Sequence, residues 1–233
     1  ERYSFTRKIC NEKVISKRKL MKPILQSRIK LELEVMMHNQ QTNAPFLQQC
    51  FDSFEDKFNV FFITELIRGG DLFFHLSERM SDHLTAGISH AFSETEARIL
   101  LAEIYLGLEF LHQKNYIHGD IKIENVMLDN SGHIKIVDFG LATRLEASQV
   151  QPMSSVGSLI YMAPELLFKK TGGRHTDWWA YGVLAHELLT SKTPWSSLTN
   201  TKIIKHEIQH SVILSPQGLS SSSCKFILSL MNR

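Results

Sequence analysis

The sequence predicts an α+β chain, with a small strand-rich first part and a larger, mainly helical second part. Two strands are expected from Ala44 to Phe54 and from Asn59 to Thr64, around the polar turn Glu55-Asp56-Lys57. Apolar residues recur at helical spacing in three segments: Leu25 to Met36, Ser93 to Leu111, and His175 to Leu189. Between the last two of these helices, the short apolar runs Val126–Leu128 and Ile134–Val137 flank Asp129-Asn130-Ser131-Gly132, which is a hairpin signal.

At 233 residues and 43% apolar content the chain can bury a substantial core. A net charge of +2 implies no partner by itself. Cys10, Cys50 and Cys224 lie far apart without paired spacing, which favours a reducing compartment and excludes a zinc-ribbon reading. The apolar stretch from Ile99 to Leu111 is interrupted by Glu103 and Glu109, so no membrane span is expected, and an intracellular location, cytoplasmic or nuclear, is.

In chain order, residues 1–30 hold ten Lys/Arg and two acids. With only Tyr3 and Phe5 for stacking, this reads as a solvated basic face, and no nucleic-acid partner is expected. Phe5-Thr6-Arg7-Lys8-Ile9 has the pattern of a strand. In the first helix Leu25, Ile29, Leu33 and Met36 share one side. Residues 77–92 read as a long polar connection. Ser93-Glu94-Thr95-Glu96 is a capping box, opening a helix with Ala97, Leu101, Ile104, Leu108 and Leu111 inward.

The chemistry concentrates in residues 118–140. Asp120, Lys122 and Asn125 stand on one loop, and the hairpin after them returns the chain to Asp138-Phe139-Gly140. Two carboxylates, an amide and an ammonium converging there suit a metal-bound polyphosphate and a hydroxyl nucleophile. Elsewhere, His206-Glu207-Ile208-Gln209-His210 fits the spacing of zinc peptidases, but no His, Asp or Glu follows His210 to supply a third ligand. Coincidence on an exposed helix is the preferred reading.

Asp-Ile-Lys-Ile-Glu-Asn followed by Asp-Phe-Gly, with Ala163-Pro164-Glu165 downstream, resembles the catalytic, magnesium and activation segments of a protein kinase. Asp177-Trp178-Trp179 is similar to the AGC group of Ser/Thr kinases, the ribosomal-kinase and protein kinase B branch. The resemblance implies a bilobal fold, with a partial N-lobe over 1–65 and a C-lobe over 66–233, each lacking its outer end. It implies ATP and Mg2+ as cofactors and a protein Ser/Thr as substrate.

By the same resemblance, Asp120 would be the catalytic base and Lys122 would neutralise the transferring phosphoryl group. Asn125 and Asp138 would hold magnesium. Lys8 would hold the α- and β-phosphates, paired with Glu32, or with Glu34 as runner-up; the Lys8–Glu32 separation is longer than in related kinases. Thr64, Glu65, Ile67, Asp71 and Met127 would border the nucleotide, and Thr6 would replace the small residue packed over adenine. Ser154 falls at the activation-loop phosphorylation position, Ser158 beside Asp120 and Lys122, and Glu165 at the segment's end. Asp71, Glu124 and Glu187 match positions that select basic residues upstream of the target. Asp177 would anchor the catalytic loop, and His118 would sit under Phe139.

The departures are as specific as the matches. The first glycine is Gly69, so no glycine-rich phosphate loop precedes Lys8, and Gly119 replaces the Arg that normally pairs with a phosphorylated activation loop. These argue for the alternative of a pseudokinase, a binding module of the same shape, but the joint presence of Asp120, Lys122, Asn125 and Asp138 favours an active Ser/Thr protein kinase as the leading reading.

Overall fold

The computed structural model describes residues 10–18, 22–42, 44–86, 91–145, 151–152 and 158–232. The first part is a three-stranded antiparallel sheet of order β1-β3-β2, built from β1 (Cys10–Ser16), β2 (Cys50–Glu55) and β3 (Asn59–Glu65). Central β3 carries the buried Phe62 and Thr64. The β2–β3 turn closes as an Asx turn, with Asp56 Oδ1 accepting the N–H groups of Phe58 and Asn59 at 2.6 Å. The strand expected at Phe5–Ile9 lies outside the described residues.

Helix α1 (Pro23–Thr42) starts with proline, whose fixed φ and missing donor suit a first turn. It runs further than the expected Leu25–Met36. Its buried Val35 and Met36 pack into the core, while Asn39 Nδ2 donates to the carbonyls of Leu47 (2.9 Å) and Gln48 (3.1 Å). Those bonds satisfy the irregular stretch before β2, where a strand from Ala44 was expected.

Helix α2 (Leu72–Ala86) corrects the expectation of a polar connection over 77–92: the chain is helical to Ala86. Asp71 Oδ1 caps it by accepting the Phe74 N–H at 2.7 Å. Helix α3 (Glu94–Gln113) begins at the expected capping box, with Ser93 and Glu96 satisfying each other's backbone N–H. Ala97, Leu101, Ile104, Leu108 and Leu111 are all buried.

After α3 come β4 (Tyr116–Ile117), β5 (Val126–Leu128), β6 (Ile134–Ile136) and β7 (Thr143–Arg144), pairing as β5–β6 and β4–β7. A further ladder joins β8 (Gln151–Pro152) to β9 (Thr171–Gly172), with short α4 (Pro164–Phe168) between them. Helix α5 (Arg174–Thr190) is buried on nearly all sides, as expected of the central helix of a bundle. It packs against α3 and α7 (Ser221–Leu230), and α6 (Thr201–His210) lies on α4.

Backbone hydrogen bonds tie the segments before β2 and after β3 to the β5–β6 hairpin. Gly69 N–H donates to Leu128 O at 2.9 Å, and Leu128 N–H to Gly70 O at 2.8 Å. The approach is so close that a Cβ on Gly69 would stand 2.4 Å from Leu128 O, so the position requires glycine. Phe46 and Gln48 bracket Ile136 in the same manner, at 2.9 Å each.

Candidate active site

The loop 118–125 is fixed from below by Asp177, 1% exposed on α5. Its Oδ2 accepts the His118 N–H at 2.9 Å and His112 Nε2 at 2.8 Å, and its Oδ1 accepts the Gly119 N–H at 2.9 Å. Burial alone would raise this carboxyl, but the His112 hydrogen bond and charge, helped by the Gly119 N–H, hold it below its ordinary value. His118 is fully buried, and burial keeps its imidazole neutral. Its Nε2–H donates to Val137 O at 3.1 Å, its Nδ1 accepts the Asp120 N–H at 3.2 Å, and its ring meets Phe139 at 5.3 Å. His118 therefore bridges the loop carrying Asp120 and the strand end carrying Asp138.

Above this anchor, Asp120, Lys122, Asn125 and Ser158 form one network. Lys122 Nζ lies 2.9 Å from Asp120 Oδ2 and donates to the Ser158 hydroxyl at 3.2 Å. Asn125 Nδ2 donates to Asp120 O at 2.8 Å and Oδ2 at 3.1 Å, while Ser158 N–H donates to Asp120 Oδ1 at 3.3 Å. With its amide nitrogen turned to Asp120, Asn125 keeps its oxygen as an acceptor.

The β5–β6 hairpin brings Asp138 to the same place, because Val137 N–H donates to Asn125 O at 3.0 Å. Asp138 has a left-handed backbone, φ 62°, a conformation that persists only where the surroundings enforce it. Across the cleft, Lys13 Nζ lies 2.5 Å from Glu32 Oε1 and 3.4 Å from Asp138 Oδ1. Burial is the largest single influence and opposes the charge on Lys13, but the charges and hydrogen bonds of Glu32 and Asp138 together raise the ammonium's pKa. The same burial pulls Glu32's carboxyl upward against the attraction of Lys13.

The expected partner Lys8 lies outside the described residues; among those described, the lysine that meets Glu32 is Lys13. Glu32 is met by Lys13, 19 residues before it, so the separation is shorter than the Lys8 alignment required. The position two residues before Lys13 is Asn11, not Thr6. The missed signal was the strand Glu12-Lys13-Val14-Ile15, hidden among ten basic residues. Glu34, the runner-up, points elsewhere, to Tyr116 and Arg144.

Of the residues expected to border a nucleotide, Thr64 is buried beneath Gln48 Nε2 at 3.4 Å. Glu65 is tied by its carboxylate to Gln49 N–H (2.9 Å) and Lys135 (3.4 Å), while its own N–H donates to Gln49 O at 3.0 Å. Ile67 is buried nearby in sequence, and Met127 on β5 forms a bridge with Asp71. The Asp71 carboxylate itself caps α2.

Glu187 and Glu124 come together around Tyr161, a residue that sequence reasoning did not single out. The Tyr161 hydroxyl donates to Glu187 Oε2. Burial pushes the Glu187 carboxyl up to about 7, the Tyr161 hydrogen bond opposing and the Glu124 charge adding. Glu165 Oε1 pairs with His175 Nε2 at 3.0 Å. Ser154 lies outside the described residues. On α6, the rings of His206 and His210 are 4.6 Å apart, and among the described residues no third acidic, His or Cys side chain joins them in a metal-binding cluster.

Residues 3–232 match the protein kinase domain family, and the chain belongs to it. Human protein kinase C eta type is 35% identical over 191 residues, 82% of this chain and 26% of that protein. Human ribosomal protein S6 kinase alpha-1 is 33% identical over 210 residues, 88% of this chain and 26% of that protein. RAC-beta serine/threonine-protein kinase A of Xenopus laevis is 33% identical over 223 residues, 94% of this chain and 42% of that protein. The chain thus spans between a quarter and a half of the relatives' length, and the AGC Ser/Thr-kinase resemblance of Asp177-Trp178-Trp179 stands. Among the described residues no helix is long and apolar enough to cross a membrane.

Proposed function

We propose that the chain is a catalytically competent Ser/Thr protein kinase domain, transferring the γ-phosphoryl group of ATP to a protein hydroxyl in a basic sequence context. The observation that carries this reading is the contact of Lys13 with both Glu32 and Asp138, across the cleft from an Asp120–Lys122–Asn125 network. Asp120 orients the substrate hydroxyl and accepts its proton as the oxygen bonds phosphorus and the bond to ADP breaks. Lys122, already beside Asp120, offsets charge on the transferring group. Lys13 holds the phosphates nearer the adenine.

The Asn125 oxygen and the Asp138 carboxylate, the latter 54% exposed, are hard oxygen donors on adjoining backbone. That set fits Mg2+, which is usually held by one or two carboxylates with water and phosphate oxygens completing its shell. When bound, the ion would neutralise charge on the phosphates. Glu187 and Glu124, with Tyr161 between them, supply the negative field for an arginine upstream of the target serine.

Gly119 favours a second reading, a pseudokinase, because it offers no cation to a phosphorylated activation segment. The deciding test is Mg2+-dependent transfer from ATP to a basic Ser peptide by the full-length protein, beside Asp120→Asn. Transfer lost in the variant supports the enzyme. ATP binding without transfer supports the binding module.

A further inference from the structure

Helix α1 is held from two sides. Glu32 and Glu34 are two residues apart, about 200° around a helix, so their side chains leave it in nearly opposite directions. Glu32 meets Lys13 on β1. Glu34 Oε1 instead accepts the Tyr116 hydroxyl at 2.6 Å and Arg144 Nη1 at 3.0 Å. Tyr116 and Arg144 are register partners in the β4–β7 ladder, so both donors belong to one small rigid unit. One turn further along α1, the His38 ring meets the Tyr116 ring edge-on at 6.2 Å.

The position of that ladder gives the contact its meaning. Strand β4 runs directly into His118-Gly119-Asp120, and β7 follows directly on Asp138-Phe139-Gly140 and the two residues after it. Glu34 therefore touches the strand that leads into the Asp120 loop and the strand that follows the Asp138 segment, from the helix that carries Glu32. Gly119, meanwhile, has no side chain with which to tie these elements together.

We propose that Glu34 is a positioning residue: with Tyr116 and Arg144 it latches α1 to the β4–β7 ladder and so sets the Lys13–Glu32 pair opposite Asp138. Tyr116 is the stronger half of the latch. It is 4% exposed, and burial together with the Glu34 hydrogen bond keeps its hydroxyl protonated, with a pKa pushed up to about 12. Arg144 and Glu34 are 65% and 43% exposed, so water screens that ion pair.

The consequence for catalysis rests on the kinase reading; the latch itself does not. The test therefore uses hydrogen exchange of α1 amides first, and phosphoryl transfer second, on the full-length protein. Glu34→Gln and Tyr116→Phe should each speed exchange across residues 31–38 about ten-fold, and the double variant should exceed neither by much, since one shared contact is lost. Arg144→Gln, exposed and tolerant, should give a smaller change in the same direction. In the transfer assay kcat should fall in proportion while KM for the peptide holds. Unchanged α1 exchange in the single variants, or fully additive effects in the double, would overturn the latch. If the wild type transfers no phosphate, the kinase reading fails while exchange still decides the latch.

Discussion

Asp177 and Gly119 lie 58 residues apart, yet the carboxylate of one accepts the backbone N–H of the other at 2.9 Å. The same carboxylate also holds the His118 N–H and His112 Nε2. Replacing Asp177 by Ala leaves three buried donors unpaired, and each such group costs about 1–3 kcal/mol. We expect Asp177→Ala to lower unfolding free energy by about 3 kcal/mol or more by denaturant titration. Because the folded-state pKa is depressed, this stabilisation is complete above the ordinary Asp value and is lost as pH falls through the folded value.

Lys13→Met should reduce phosphoryl transfer by ~10²–10³, the typical effect of deleting one electrostatic group at a reacting centre. Lys8→Met is the informative comparison in the same steady-state assay. A larger loss at Lys8 than at Lys13 would return the phosphate-holding role to Lys8.

Basic-peptide recognition should depend on pH through Glu187. Its carboxyl, pushed up to about 7, is neutral below that value and attracts an arginine only when ionised. The KM for an Arg-containing peptide should therefore fall as pH rises from about 6 to about 8, and Glu187→Gln should flatten the profile. Stability moves the other way. The folded chain retains a proton that the unfolded chain releases, so the stability contribution declines as pH rises from the ordinary Glu value to the raised one.

Gly119 has φ +79°, and a Cβ there would meet Leu141 O at 2.7 Å. Gly119→Arg should destabilise the chain rather than restore a phosphate clamp, with Gly119→Ala costing about 1–2 kcal/mol from the left-handed backbone alone. Phosphatase treatment of the wild type should leave its transfer rate within about two-fold, since no cation at 119 answers a phosphate. A collapse of the rate after that treatment would show another cation in the role.

Local signals in the sequence carried most of the site. Asp120, Lys122, Asn125 and Asp138 stand within 19 residues, and the hairpin between them is written in its turn chemistry. The α3 capping box is equally local. The Lys13 assignment was obscured by neighbouring lysines at Lys8 and Lys17, and the alternation of Phe5–Ile9 resembled a strand. Residues 77–86 looked like a loop because Ser77-Glu78-Arg79-Met80-Ser81-Asp82-His83 is mostly polar and offers no apolar stripe at helical spacing. Glu34 was noticed only as a runner-up to Glu32, and its pairing with Tyr116 and Arg144 could not be read, since those partners lie 82 and 110 residues away and no pattern along the chain marks them.

The bonds between Gly69 and Leu128, and between Phe46–Gln48 and Ile136, run along one edge of the cleft like the spine of a book. Lys135 reaching Glu65 reinforces the same edge at 3.4 Å. The opposite edge is held more lightly: there Lys13 faces Asp138 through a solvent-exposed contact at 3.4 Å. Amides on the spine should exchange only by whole-molecule unfolding, whereas the exposed Lys13–Asp138 contact should be the first to break.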